Sequence, residues 1–173
     1  MTKLSGSTRQ DRNDAILLIG FGNEGRCDDG LGPCFARAVK AIECPGVTVE
    51  TAYQLNIEDA ATIADFDVAV FADATVSDTE PFQFSVVEPV QSTAEFTTHS
   101  VSPAGVLGLA HTLFGGTTSG YALAIRGYHF HEFGEGLSDG ATENLQAALT
   151  FFRAIVAPEG SLRQNAEPEI EGG

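Results

Sequence analysis

Leu17-Leu18-Ile19-Gly20-Phe21-Gly22-Asn23-Glu24-Gly25-Arg26-Cys27-Asp28-Asp29-Gly30-Leu31-Gly32 is the stretch that decides the fold. An apolar run enters a glycine-rich turn, and two adjacent carboxylates stand where a helix is about to begin. Gly20 to Gly25 matches the G-x-G-x-x-G spacing of a phosphate-binding turn. That motif wants a helix opening at its third glycine, with bare N–H groups aimed at the pyrophosphate. Here the helix is expected to open later, near Asp29. Glu24, Asp28 and Asp29 would also crowd a phosphate, with Arg26 as the only nearby compensation. The glycines are read as the means of turning from strand to helix, and the carboxylates as pointing to a cation.

Outward from this stretch, strands and helices alternate. Ala15–Phe21 is continuously apolar, as in a strand covered on both faces. A helix is predicted over 29–42, with Leu31, Phe35, Ala38 and Ile42 near one face. Strands follow at 47–51 and 68–72, with a short helix over 57–64 between them. Phe82, Phe84 and Val86 alternate with polar residues, the mark of a half-exposed edge strand. Ser102 and Pro103 announce a helix start. Val106, Leu109, Ala110, Leu113 and Phe114 make its apolar stripe, and Gly115-Gly116 stops it. A fifth strand is expected at 121–125 and a last helix at 139–156. The predicted fold class is α/β. It is a three-layer sandwich: a mostly parallel sheet with one antiparallel edge strand and helices on both faces.

The chain has 173 residues, 43% of them hydrophobic, enough for one domain with a full core. The expected organisation is a loose tail at 1–14, a single domain at 15–157 and an acidic disordered tail at 158–173. Twenty-four acidic against nine basic residues give a net charge of −15. That surface repels nucleic acid and anionic lipid. No apolar run reaches the roughly 18 residues of a membrane span, and residues 1–13 hold no signal-peptide core, so a cytoplasmic protein is expected. Cys27, Cys34 and Cys44 form neither an even set nor a C-x-x-C pair, so reduced thiols are expected.

In open α/β sheets, ligands collect beyond the carboxyl ends of the strands. Asp29, Asp73 and His99 are predicted to stand there. Two carboxylates and an imidazole at one edge would suit a divalent metal with open positions. Each has a plainer reading: Asp29 as a helix N-terminal charge, Asp73 as a turn former and His99 as a surface loop residue. His129 and His131 are rival ligands. A nucleophilic Cys27 is disfavoured, because Asp28 and Asp29 oppose its thiolate. The sequence has no H-E-x-x-H helix.

Four segments, in order, carry a family resemblance. They are Ile19–Asn23 with Asp28–Gly32, then Val70–Ala74, then His99–Pro103 with Leu107–Ala110, and last Arg126–Tyr128 with Gly134–Ser138. Over residues 15–157 the chain resembles the hydrogenase maturation proteases. The resemblance implies a twisted, largely parallel five-stranded sheet. It implies an endopeptidase that removes the C-terminal extension of a nickel–iron hydrogenase large-subunit precursor after nickel insertion, cutting after a basic residue. The nickel, carried by the substrate, would be the recognition element. The family's two acidic ligands fall on Asp29 and Asp73 and its histidine on His99, the three positions already chosen at the strand ends. Some relatives have Glu at the first position, so Asp29 reaches one methylene less. Asp28, Glu135 and Gly136 are expected to contact substrate. Cys27, His129, His131 and Glu132 depart from the family pattern. The alternative reading is a metal-dependent module that holds the precursor without cutting it.

Overall fold

Five strands order themselves as β2-β1-β3-β5-β4 in one sheet. They are β1 (Ile16–Phe21), β2 (Val47–Ala52), β3 (Val68–Thr75), β4 (Phe82–Val87) and β5 (Ser119–Arg126). The structure is a computed structural model and describes residues 15–90 and 101–164. β1 pairs in parallel with β2 and β3, and β3 with β5, while β4 runs antiparallel to β5 at the edge. The central strands β1 and β3 are covered on both faces, which is why Ile16–Ile19 and Val68–Ala72 are unbroken apolar runs. Edge strand β2 alternates instead, with Val47 and Val49 half-buried and Thr48 and Glu50 exposed.

Helices α1 (Leu31–Ala41), α4 (Asp139–Val156) and α5 (Ser161–Gln164) cover one face. Ile16, Leu18, Val70 and Ile125 meet Leu31, Phe35, Val39, Ala148 and Phe152 there. Phe35 and Phe152 pack edge to face, 5.5 Å between ring centroids. Helices α2 (Asp59–Ile63) and α3 (Pro103–Phe114) cover the other face, where Leu17, Ile19 and Phe71 meet Ile63, Val106, Leu107 and Ala110. The three layers and the mixed sheet agree with the sequence. So do the α3 signals: the Ser102 hydroxyl accepts the Gly105 N–H at 3.1 Å, and Gly115 ends the helix in the left-handed region at φ 64°.

Several expectations are corrected. The helix expected from Asp29 opens at Leu31, behind a separate 3-10 turn over Cys27–Gly30. Ile42 lies past the end of α1 and is 43% exposed; Val39 takes the inward place. Leu113 and Phe114, 63% and 53% exposed, lie in the last turn of α3, which the packing of Val106–Ala110 leaves in solvent. On β4, Phe82 and Phe84 pack against Phe151 of α4, but Val86 is exposed and Val87 turns to the opposite face. The packed chain also runs beyond Ala157. Leu162 of α5 is buried in the core, and Arg163 donates to the Val156 and Pro45 carbonyls.

The position of α1 depends on glycine. A Cβ on Gly20 would lie 2.2 Å from the Gly32 carbonyl oxygen, and one on Gly32 would lie 2.3 Å from that of Phe21 and 2.5 Å from that of Ala72. Helix and sheet therefore touch backbone to backbone. In an open helix, replacing glycine by alanine would gain about 1 kcal/mol. Here overpacking against fixed backbone reverses the sign. Gly32→Ala should lower stability by about 1–3 kcal/mol, read as a reduced urea midpoint. An unchanged or raised midpoint would contradict the close contact.

Candidate functional site

The carboxyl ends of β1, β3 and β5 open into a groove of about 600 Å³. Its walls are Phe21, Gln54, Leu55, Phe71, Asp73, Ala74, Thr75, Val101, Ser102, Pro103 and Ala122–Ala124. Along β3 the residues alternate: Val68, Val70 and Ala72 face α1 and α4, while Ala69 and Phe71 face α2 and α3. Asp73 continues the second set and enters the groove beside the start of α3. The strand does not end there, as expected from sequence, but runs on to Thr75.

Asp29 reaches the same edge from the 3-10 turn. Its carbonyl packs against Gly22, where a Cβ would come within 2.1 Å, and Gly22 holds a φ of 143° that favours glycine. Its Oδ2 accepts the Asn23 N–H at 3.2 Å. Asp73 Oδ1 accepts the N–H of its neighbour Ala74 at 2.7 Å. Burial in the groove pushes the Asp73 carboxyl up to about 6, and the negative charge of Asp29 adds to that rise against the Ala74 hydrogen bond.

The structure places Asp73 in the groove, where the charge of Asp29 bears on it. His99 lies outside the described residues; Val101, two positions on, is buried at the groove wall and donates to the Leu55 carbonyl. Among the described residues, no three His, Cys, Asp or Glu side chains are grouped to hold a metal. Carboxylate oxygens are hard donors that suit a cation.

The remaining candidates take other places. Asp28, expected to touch substrate, is turned inward and fully buried. Its Oδ2 accepts the N–H groups of Tyr128 (2.8 Å) and His129 (3.0 Å) and the Ser138 hydroxyl (2.7 Å), and its Oδ1 accepts the Ser138 N–H (2.7 Å). Burial works against this anion, but those hydrogen bonds outweigh it and hold the carboxyl below its ordinary range. Nothing in the sequence pointed to this role, because the partners lie 100 to 110 positions away. Glu135 and Gly136 line a second depression, of about 790 Å³, with Cys27, His129 and Leu137. His129 and His131 are exposed, and the Cys27 thiol faces the Glu132 carbonyl at 3.8 Å.

The glycine turn is not a phosphate cradle. Its N–H groups are already taken: Gly22 by Ala52, Asn23 by Asp29, Gly25 by the Asn23 side chain and Arg26 by the Asn23 carbonyl. The α1 N-terminus lies beyond Gly30, not at Gly25.

No protein-family model matches the chain, and no curated protein matches it in sequence. Solved structures do. The fold is similar to that of a [NiFe] hydrogenase maturation protease, HycI, from Thermococcus kodakarensis KOD1, at 22% identity, over 83% of this chain and 92% of that one, with a TM-score of 0.64. It is similar to the hydrogenase maturating endopeptidase HybD from E. coli, at 21% identity, over 87% and 93%, with a TM-score of 0.64. A hydrogenase 2 maturation peptidase from a Thaumarchaeota archaeon matches at 19% identity, over 79% and 94%, with a TM-score of 0.58. The chain has the fold of these peptidases.

Proposed function

We propose that the chain is an endopeptidase that trims the C-terminal extension from the large-subunit precursor of a nickel–iron hydrogenase in the cytoplasm. The observation that carries this reading is the carboxylate of Asp73 set in a groove at the carboxyl edge of a sheet whose fold is shared with maturation peptidases, with the charge of Asp29 bearing on it. Fold alone would not assign an activity; a carboxylate in the groove, with the charge of Asp29 bearing on it and no cation paired to it among the described residues, suits a substrate that brings its own positive charge.

In this reading Asp29, Asp73 and His99 engage the nickel of the precursor, and the carboxylates also attract the basic residue before the cut. The metal belongs to the substrate and arrives with it. Bound at the carboxylates, it would fix the adjoining peptide in the groove of Asp73 and Pro103. A water polarised at the substrate's metal would add to the scissile carbonyl, the C–N bond would break and the water's proton would pass to the leaving amine; with one carboxylate as the attacking group instead, water would afterwards hydrolyse the acyl anhydride. Among the described residues no helix is long and apolar enough to cross a membrane.

The direct test mixes the protein with nickel-loaded precursor and follows the length of the large subunit. A shortened product is expected, and none with Asp29→Asn, whose circular dichroism should match the parent. Normal processing by that variant would remove Asp29 from the site. A stable complex that is never cut would replace the protease with a holding module.

Asp73 yields a prediction of opposite sign for stability and activity. Its folded carboxyl holds a proton more tightly than the unfolded value of 3.8, rising to about 6. Its contribution is therefore complete below about pH 4 and lost as pH rises through about 6. Asp73→Asn keeps the acceptor for Ala74 and removes the charge. It should be more stable than the parent at pH 8, by on the order of 2 kcal/mol, and equal to it at pH 4, while losing processing. Unfolding midpoints at both pH values, measured beside the processing assay, check both halves. A variant less stable at pH 8 would refute the charge argument.

A further inference from the structure

We infer that Asp28 is a positioning residue for Asp29, acting by fastening the Asp29 turn to the loop 127–138. The inference rests on the proteolytic reading above for its activity readout and on geometry for the rest. Asp28 is a fully buried carboxylate, and a buried charge is tolerated only when its lone pairs are filled. All four donors come from that loop and from the first residues before α4. One of them, the Ser138 hydroxyl, gives its proton to Asp28 and accepts the Ala141 N–H at 3.3 Å, so the cap of an 18-residue helix is tied to the same anion.

The backbone repeats the fastening. Asp28 donates its N–H to the His129 carbonyl at 3.0 Å, Cys27 donates to Gly134 at 2.8 Å, and Gly134 donates back to Gly25 at 3.0 Å. Cys27 is held in the left-handed region at φ 47°, a conformation that a non-glycine residue keeps only when its surroundings impose it. A Cβ on Gly127 would strike the Asp28 Cβ at 2.8 Å, so loop and turn meet without slack. Asp29 is the next residue. With the peptide before it pinned from two sides, its carboxylate has one approach to the edge that holds Asp73. The same loop presents Glu135 and Gly136 at the surface beside Cys27. A peptide seated there presses on the atoms that hold Asp29 in place, so substrate binding and carboxylate alignment are coupled through Asp28.

The test compares Asp28→Asn with Ser138→Ala and Ser138→Thr, using nickel-loaded precursor as substrate and amide hydrogen exchange as the second readout. Asn cannot accept at both oxygens, so Asp28→Asn should lower kcat roughly 10- to 100-fold. KM should change by less than about twofold, since ground-state binding is kept. Exchange at residues 27–30 and 128–138 should accelerate. Ser138→Ala should lower kcat in the same direction by less, and Ser138→Thr should restore it. If Asp28→Asn does not fold, the Ser138 pair decides. An undiminished kcat in Asp28→Asn, a loss confined to KM, or a Ser138→Thr variant no better than Ser138→Ala overturns the inference. If the parent protein cuts no precursor, the proteolytic reading fails by itself. Exchange then decides alone: unchanged protection at Asp29 and Gly30 in Asp28→Asn sinks the positioning role.

Discussion

Everything at the carboxyl edge of the sheet depends on one steric constraint, the contact of α1 with β1 and β3 backbone to backbone. Gly20 and Gly32 permit it, and no side chain lies between the helix and the Phe21 and Ala72 carbonyls. Such closeness leaves little chain length for the return from strand to helix. The return is made through a tight 3-10 turn and not by extending α1. That turn delivers Asp29 to the edge with its carbonyl against Gly22. A helix one side-chain diameter further out would have placed the same aspartate away from β3.

Three aspartates near this edge meet three different environments. Asp28 is surrounded by N–H and O–H donors and stays an anion in the interior. Asp73 has a single backbone donor, an apolar groove and a like charge beside it, so its anion is disfavoured. Asp29 accepts one N–H, from Asn23. Division of labour among identical side chains follows from hydrogen-bond supply and burial, not from residue type. The buried anion of Asp28 ties the turn to the loop before α4.

The outer parts of the molecule follow simpler rules. Phe82, Phe84, Tyr121 and Phe151 form an aromatic cluster that closes the antiparallel edge against α4, with ring centroids 5.0 to 5.3 Å apart. Arg126 and Tyr128 hold the connection between β3 and β4: the guanidinium donates to the Val76 carbonyl and lies 3.7 Å from Asp78, and the Tyr128 hydroxyl donates to Glu80. The rim next to Asp73 is thereby kept in register with the loop that fastens Asp28.

By itself the sequence determined the layer order, because each signal behind it is local. Continuous apolar runs mark strands covered on both faces, alternation marks the Phe82–Val87 edge, and Ser102-Pro103 and Gly115 bound α3. It also pointed to the carboxyl ends of β1 and β3, although Asp73 lies inside β3, which runs on to Thr75. Which carboxylate of Asp28-Asp29 faces out was decided only by tertiary structure. Adjacent residues on a tight turn point in different directions, and the choice was made by donors from Tyr128, His129 and Ser138, 100 to 110 positions away. The same holds for Ile42, Leu113 and Phe114. Helical periodicity names a face, but the length of the neighbouring element decides how much of that face is covered.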